Sequence, residues 1–142
     1  MNGGSDLLKA PVPLLFTGNF IYLGIKMKIM KIAVEENAQV YLIKLNGELD
    51  ASTCLEVDKA IELALTGQLE QLWIDFTGLT YISSAGLGVL ISHLGTLERR
   101  HIGMVLYGMT KQVRNVFELL GLHMIMNIVP TKEDAQLQYQ ER

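Results

Sequence analysis

The chain has 142 residues, 49% of them hydrophobic, which suffices for one domain with a substantial core and excludes a disordered or low-complexity chain. Its formal net charge of −3 is unevenly spread: residues 1–29 carry three basic and one acidic side chain, residues 30–142 nine basic and fourteen acidic. That acidic balance argues against a nucleic-acid partner, because phosphate contacts need clustered Lys and Arg, and the basic run Arg99–Arg100 with His101 reads as a helix end.

Residues 1–29 differ in character from the rest of the chain. Pro11, Pro13, Gly18 and Gly24 interrupt an apolar stretch from Val12 to Ile25, and Thr17, Gly18 and Asn19 lie in its middle, so it is too short and too broken for a membrane span. A secretory signal would place its charge before the apolar region and a small-residue cleavage site after it, whereas Lys26 and Lys28 come after the apolar residues here. The segment is expected to be an N-terminal extension, either poorly ordered or not native, with Met27 and Met30 as alternative starts. The domain is placed at residues 30–142. Cys54 is the single cysteine, so an intrachain disulfide and a thiolate zinc cluster are both excluded, and a reducing cytoplasm is the expected compartment.

From Met30 the pattern is regular. Lys31–Glu35 and Val40–Leu45 read as strands joined by a turn at Asn37, which predicts an antiparallel hairpin. Gly47–Glu48–Leu49–Asp50 leads as a turn into a helix, where Thr53 and Glu56 have the spacing of a capping box. Leu55, Ala60, Ile61, Ala64 and Leu65 form its apolar stripe, and Gly67 stops it. Leu72–Phe76 is a nearly continuous apolar run, as in a strand buried on both faces, and Thr77–Gly78 reads as a turn. A second helix opens after Tyr81–Ile82 and runs to about Arg100. Ile102–Tyr107 is another buried strand, Thr110 begins a third helix ending at Gly121, and Met126–Val129 is a short last strand. Thr131 with Asp134 caps a C-terminal helix. Strands separated by helix-length connections pair in parallel through right-handed crossovers. The fold class is therefore α/β: a mixed, mostly parallel sheet with an N-terminal hairpin and helices packed on it.

The chemistry concentrates in Ser83–Ser84–Ala85–Gly86–Leu87–Gly88. This run sits at the carboxyl end of a central strand, where open α/β sheets hold their functional groups, and at a helix start with unpaired backbone N–H groups. A phosphate there would add a charge of about −1.5 to −2 and would repel whatever docks against the neutral loop. On spacing alone the serines read first as an ordinary N-cap. Gly86 and Gly88 permit close approach of another surface.

Together with Gly47–Glu48–Leu49–Asp50 and Leu72–Phe76, the run Tyr81–Ile82–Ser83–Ser84–Ala85–Gly86–Leu87–Gly88–Val89–Leu90 resembles the STAS domain over about residues 30–140, most closely the bacterial anti-sigma factor antagonists. The resemblance implies a STAS-like sheet and transcription control by partner switching. The unphosphorylated antagonist binds an anti-sigma factor that is also a serine kinase, phosphorylation of the loop serine releases it, and a PP2C-type phosphatase restores binding. It implies no enzymatic activity in the antagonist itself and no cofactor. The phosphorylated serine of the family pattern falls on Ser84, with Ser83 as the alternative acceptor. The implied partner-binding residues are Asp50, Ser83, Ser84, Ala85, Gly86, Leu87 and Gly88. Ser83 stands where the family often has Asp, and Ala85 where it often has Ser or Thr. A second function on the same fold is an unphosphorylated STAS interaction subunit of a membrane transporter, such as a lipid ABC system.

No other constellation assembles a site. Gly86–Leu87–Gly88 lacks a third glycine and a phosphate-loop Lys, neither serine lies in Gly-x-Ser-x-Gly, and His93, His101 and His123 lack metal-ligand spacing. No catalytic or metal-binding residue is therefore expected. Asp75 is expected to cap or orient the serine loop. Met104, Met109, Met124 and Met126 read as core or rim packing, and Leu87, Leu90, Ile91 and Leu94 as a core-facing stripe that would extend a docking surface wherever exposed.

Overall fold

The computed structural model describes residues 20–22, 25–27, 31–36 and 39–141. Alternation of apolar residues decides its architecture. In β4 (Val40–Leu49), Val40 and Leu42 bury on one face of the sheet while Tyr41, Ile43 and Leu45 bury on the other. In β5 (Gln71–Ile82), Trp73 faces the first side and Leu72, Ile74 and Phe76 the second. Each large apolar side chain withdrawn completely from water stabilises the fold by about 1.5–3 kcal/mol, so both faces must be covered.

Three helices cover one face. α1 (Cys54–Ala64) buries Val57, Ala60, Ile61 and Ala64, α2 (Ser84–Arg99) buries Leu87, Leu90 and Leu97, and α3 (Lys111–Leu119) buries Val113 and Phe117. Phe117 meets Phe76 edge-on at 5.9 Å between ring centroids. The opposite face receives α4 (Lys132–Gln140), which packs Ala135 and Tyr139 against Val40, Leu42, Trp73 and two further strands. These are β6 (Gly103–Tyr107) and β7 (Asn127–Val129). Trp73 lies edge-on to Tyr107 at 6.4 Å and to Tyr139 at 6.3 Å.

The five-stranded sheet has the order β3-β4-β5-β6-β7, where β3 (Lys31–Glu36) is antiparallel to β4 and the remaining pairs are parallel. This is the mixed, mostly parallel sheet with an N-terminal hairpin that the sequence predicts. The expected turn at Asn37 lies outside the described residues. In the leader, β1 (Phe20–Tyr22) and β2 (Ile25–Met27) pair with each other in a separate antiparallel ladder. The rest of residues 1–29, and with it the expectation of a poorly ordered extension, lies outside the described residues.

Several local expectations are corrected. Thr77–Gly78 is no turn, since β5 runs unbroken through it for 12 residues. Its register against β4 slips instead, from Lys44↔Asp75 to Asn46↔Gly78 and from Gly47↔Leu79 to Glu48↔Tyr81. These bulges let β5 carry extra residues beside a shorter neighbour. Gly78 suits the bulge, because a Cβ there would displace the Asn46 side chain and lie 3.0 Å from the Leu45 carbonyl. Gly47–Glu48–Leu49 likewise extends β4 and forms no turn, with Gly47 at φ +118°.

The capping box at Thr53 does not form. Thr53 Oγ1 makes no cap bond; it donates to the Glu48 carbonyl at 2.7 Å and accepts from the Asp50 N–H at 2.9 Å. Leu55, predicted in the buried stripe, is 58% exposed in the first turn of α1. The end of α1 is secured from elsewhere: the Arg100 guanidinium donates to the carbonyls of Leu65 and Gly67. The cap at Thr131 forms as read, its hydroxyl accepting from Asp134 N, and Thr110, expected to begin a helix, caps it by accepting from Val113 N.

Candidate functional site

β4 and β5 finish side by side. Leu49 pairs with Ile82, and the Ser83 N–H donates to the Leu49 carbonyl at 2.9 Å, the last rung between the two strands. Asp50 and Ser83 come directly after on neighbouring strand ends, about 5 Å apart by strand spacing. Two residues widely separated in sequence thus share the rim from which α1 and α2 depart.

Ser83 and Ser84 have different tasks. Ser83 is the N-cap of α2, with extended backbone (φ −101°, ψ 174°), and its hydroxyl oxygen accepts from Gly86 N at 3.5 Å. It is half-buried. Ser84 is the first helical residue, is exposed, and its hydroxyl makes no hydrogen bond with any described residue. The first turn of α2 contains no acidic residue, so no carboxylate of the helix itself opposes its positive end at Ser84. A phosphate on Ser84 would meet free backbone N–H groups at the rim.

The glycines and leucine of the loop also divide. Gly86 is buried, and a Cβ on it would stand 2.6 Å from Leu49 Cγ, 3.0 Å from the Leu49 carbonyl and 3.1 Å from Ile82 Cγ1. Its role is to let α2 close onto the end of β4. Leu87 is buried in the core. Both fix the loop from beneath, because the helix turns them toward the sheet, as the core-facing reading of Leu87 expects. Ala85 is half-buried, and Gly88 is exposed with nothing within 4 Å of a Cβ. Ser84 and Gly88, one turn apart, therefore present a bare strip of α2 to solvent.

Asp50 is held in place by its own loop. Its Oδ1 accepts from Ser52 N at 2.9 Å and Ser52 Oγ at 2.7 Å, while Thr53, fully buried, ties the Asp50 N–H to the end of β4. Three large apolar side chains are exposed on the elements that meet at this rim: Leu55 in the first turn of α1 (58%), Tyr81 near the end of β5 (50%) and Ile91 on α2 (43%). Of the stripe predicted on α2, Leu87 and Leu90 are buried, Leu94 is half-buried and Ile91 points outward. Leu55 lies two residues before Val57 and so falls off the buried stripe Val57, Ala60, Ile61 and Ala64, while Tyr81 follows the bulge at Thr80, which breaks the strand's alternation.

Asp75 does not reach the serine loop. Its Oδ1 accepts from Thr77 N at 2.8 Å and stabilises the first bulge of β5. His93, read as a plain helix residue, is buried, and its Nε2 lies 2.7 Å from Asp58 Oδ1, joining α2 to α1. No sequence signal couples two positions 35 residues apart. His101 and His123 are exposed at element ends. Among the methionines, Met126 is buried and Met104 and Met109 are half-buried as expected, but Met124 is 78% exposed. Among the described residues there is no group of three His, Cys, Asp or Glu able to hold a metal, and no helix long and apolar enough to cross a membrane.

Residues 31–135 match the STAS domain family model. Over 82 residues the chain is 35% identical to an anti-sigma-B factor antagonist of Listeria monocytogenes, covering 58% of this chain and 72% of that one. Over 101 residues it is 24% identical to the anti-sigma-B factor antagonist of Staphylococcus aureus, covering 70% of this chain and 94% of the relative. Its fold is similar to that of the anti-sigma factor antagonist SpoIIAA in its unphosphorylated form, with a TM-score of 0.67 and 25% identity over 78% of this chain and 97% of the other. An anti-sigma factor antagonist from Mycobacterium paratuberculosis superposes with a TM-score of 0.71 at 23% identity, covering 77% and 92%. The mixed, mostly parallel five-stranded sheet with its helices is thus the fold of these neighbours, and the chain belongs to the STAS domain family.

Proposed function

We propose that this chain is an anti-sigma factor antagonist that binds an anti-sigma factor serine kinase through the rim at Asp50, Ser83, Ser84, Ala85 and Gly88, and is released when Ser84 is phosphorylated. The observation that carries this reading is the contrast between the two serines: Ser83 is committed to capping α2, whereas the Ser84 hydroxyl is exposed and unengaged among the described residues. The names of its relatives support the general function, and SpoIIAA is described in both an unphosphorylated and a phosphorylated form. The antagonist supplies the acceptor hydroxyl, the kinase supplies ATP and Mg²⁺, and a PP2C-type phosphatase removes the phosphate. The setting is the cytoplasm, and the functional domain is residues 30–142, with 1–29 an extension.

The release mechanism is electrostatic. In the unphosphorylated state a partner packs on Ser84, Gly88 and the exposed Leu55, Tyr81 and Ile91, burying apolar surface. A dianion on Ser84 would have to lose its hydration in that contact, which costs several kcal/mol unless the partner offers a cation.

A pull-down from the source cells, with wild type beside Ser84→Asp, tests the reading. Capture of a kinase-type anti-sigma factor by wild type, weakened by the substitution by about 10- to 100-fold, is expected. Equal capture of a permease and ATPase by both proteins would replace it with the constitutive transporter-subunit reading.

A further inference from the structure

β6 and β7 lie side by side and parallel, yet the chain leaves them in opposite directions. From β6 it enters α3 on one face of the sheet, and from β7 it enters α4 on the other. Such a divergence opens a crevice beyond the carboxyl ends of the two strands, the place where open α/β sheets take up small ligands. A crevice of about 430 Å³ is present there, lined by Asp75 and Thr77 of β5, Tyr107 and Gly108 at the end of β6, and Lys132 and Glu133 at the start of α4. It is separate from the serine rim, which lies at the extended end of β5.

The floor of the crevice leaves no room for a side chain. Gly108 has φ +78°, and a Cβ on it would collide with Thr77 Oγ1 and lie 3.3 Å from Asp75 Oδ1. The surrounding polar groups are largely unspent. Asp75 uses Oδ1 to accept from Thr77 N. Its other oxygen, the Thr77 hydroxyl, the Lys132 ammonium and the Glu133 carboxylate make no hydrogen bond or ion pair with any described residue. Asp75 and Lys132 are both half-buried.

We propose that this crevice binds a small zwitterion of amino-acid size, with its ammonium on Asp75 and Glu133 and its carboxylate on Lys132. The charge pattern selects that class. A simple anion would face two carboxylates, and a simple cation would face the ammonium, whereas a molecule carrying both charges satisfies all three groups. The volume lies at the small end of ligand pockets, which run from about 300 to 1,000 Å³. A metal ion is disfavoured, since no three metal-ligating side chains converge among the described residues.

The full chain carries a built-in reporter, because Trp73 is its single tryptophan and lies edge-on to Tyr107. Titration with the proteinogenic L-amino acids, singly and at millimolar concentration, is read by tryptophan emission and by the amide NMR shifts of Gly108, Lys132 and Glu133. At least one amino acid gives a saturable change at these amides, weakened about tenfold or more by Lys132→Gln and by Glu133→Gln, neither of which touches the core. The matching methyl ester and the decarboxylated amine, each lacking the anionic group, fail to bind. Absence of any saturable change, equal binding of ester and acid, or unchanged affinity in Lys132→Gln would each overturn the proposal.

Discussion

Thr53 shows how much one hydroxyl fixes in this molecule. It is fully buried, donates to the Glu48 carbonyl and accepts from the Asp50 N–H, so the end of β4 and the Asp50 loop are tied by a single atom. Thr53→Val keeps the volume but removes both of these hydrogen bonds, and should cost about 1–3 kcal/mol in urea denaturation. Faster hydrogen exchange at the Asp50 amide would accompany it; an unchanged exchange rate would remove Thr53 from the architecture of the rim. Gly86→Ala is expected to be destabilising for the opposite reason. Its methyl would crowd Leu49 and Ile82, an overpacking worth about 1–3 kcal/mol. Gly88→Ala, facing open space, should instead stabilise α2 by up to about 1 kcal/mol, and comparing the two denaturation midpoints separates an inward from an outward glycine.

Among elements, the contact between α1 and α2 sets the relation between the Asp50 loop and the serine helix. Its polar part is the 2.7 Å contact of His93 Nε2 with Asp58 Oδ1, in which the histidine side chain is 11% exposed and the aspartate 31%. A double-mutant cycle with His93→Leu and Asp58→Leu should return a coupling of about 0.5–1.5 kcal/mol, near that of an ordinary hydrogen bond because Asp58 still reaches solvent. Additive effects would mean that the contact contributes nothing. Elements were legible wherever their signal was local. The caps at Ser83 and Thr131, the helix start at Thr110 and the order of strands and helices could be read from residue spacing. The turn assigned to Thr77–Gly78 failed, because a Thr–Gly pair serves a turn and a bulge equally well and the choice depends on Asn46, on another strand. The capping box failed likewise: the Thr53 oxygen accepts from the Asp50 N–H instead of a donor of its own helix, and its proton goes to the Glu48 carbonyl, five residues back.

Across the whole molecule, the sheet is what brings distant residues to one rim. Asp50 was matched to the serine loop by family resemblance alone; the register Leu49↔Ile82 supplies the physical reason. The crevice at Gly108 and the outward Leu55 and Tyr81 had no counterpart in residue spacing, since they arise from helix direction and strand bulges rather than from composition. The integrity of the sheet rests on both cores, and Phe117→Ala, which empties the edge-on contact with Phe76, should cost about 3–5 kcal/mol. A single cooperative transition at lower denaturant is the expected record. The central claim concerns Ser84, and intact-mass measurement after incubation with the cognate kinase and ATP tests it most directly. One phosphate should appear on wild type and on Ser83→Ala, and none on Ser84→Ala; an unmodified wild type, or a phosphate that persists in Ser84→Ala, would contradict the account.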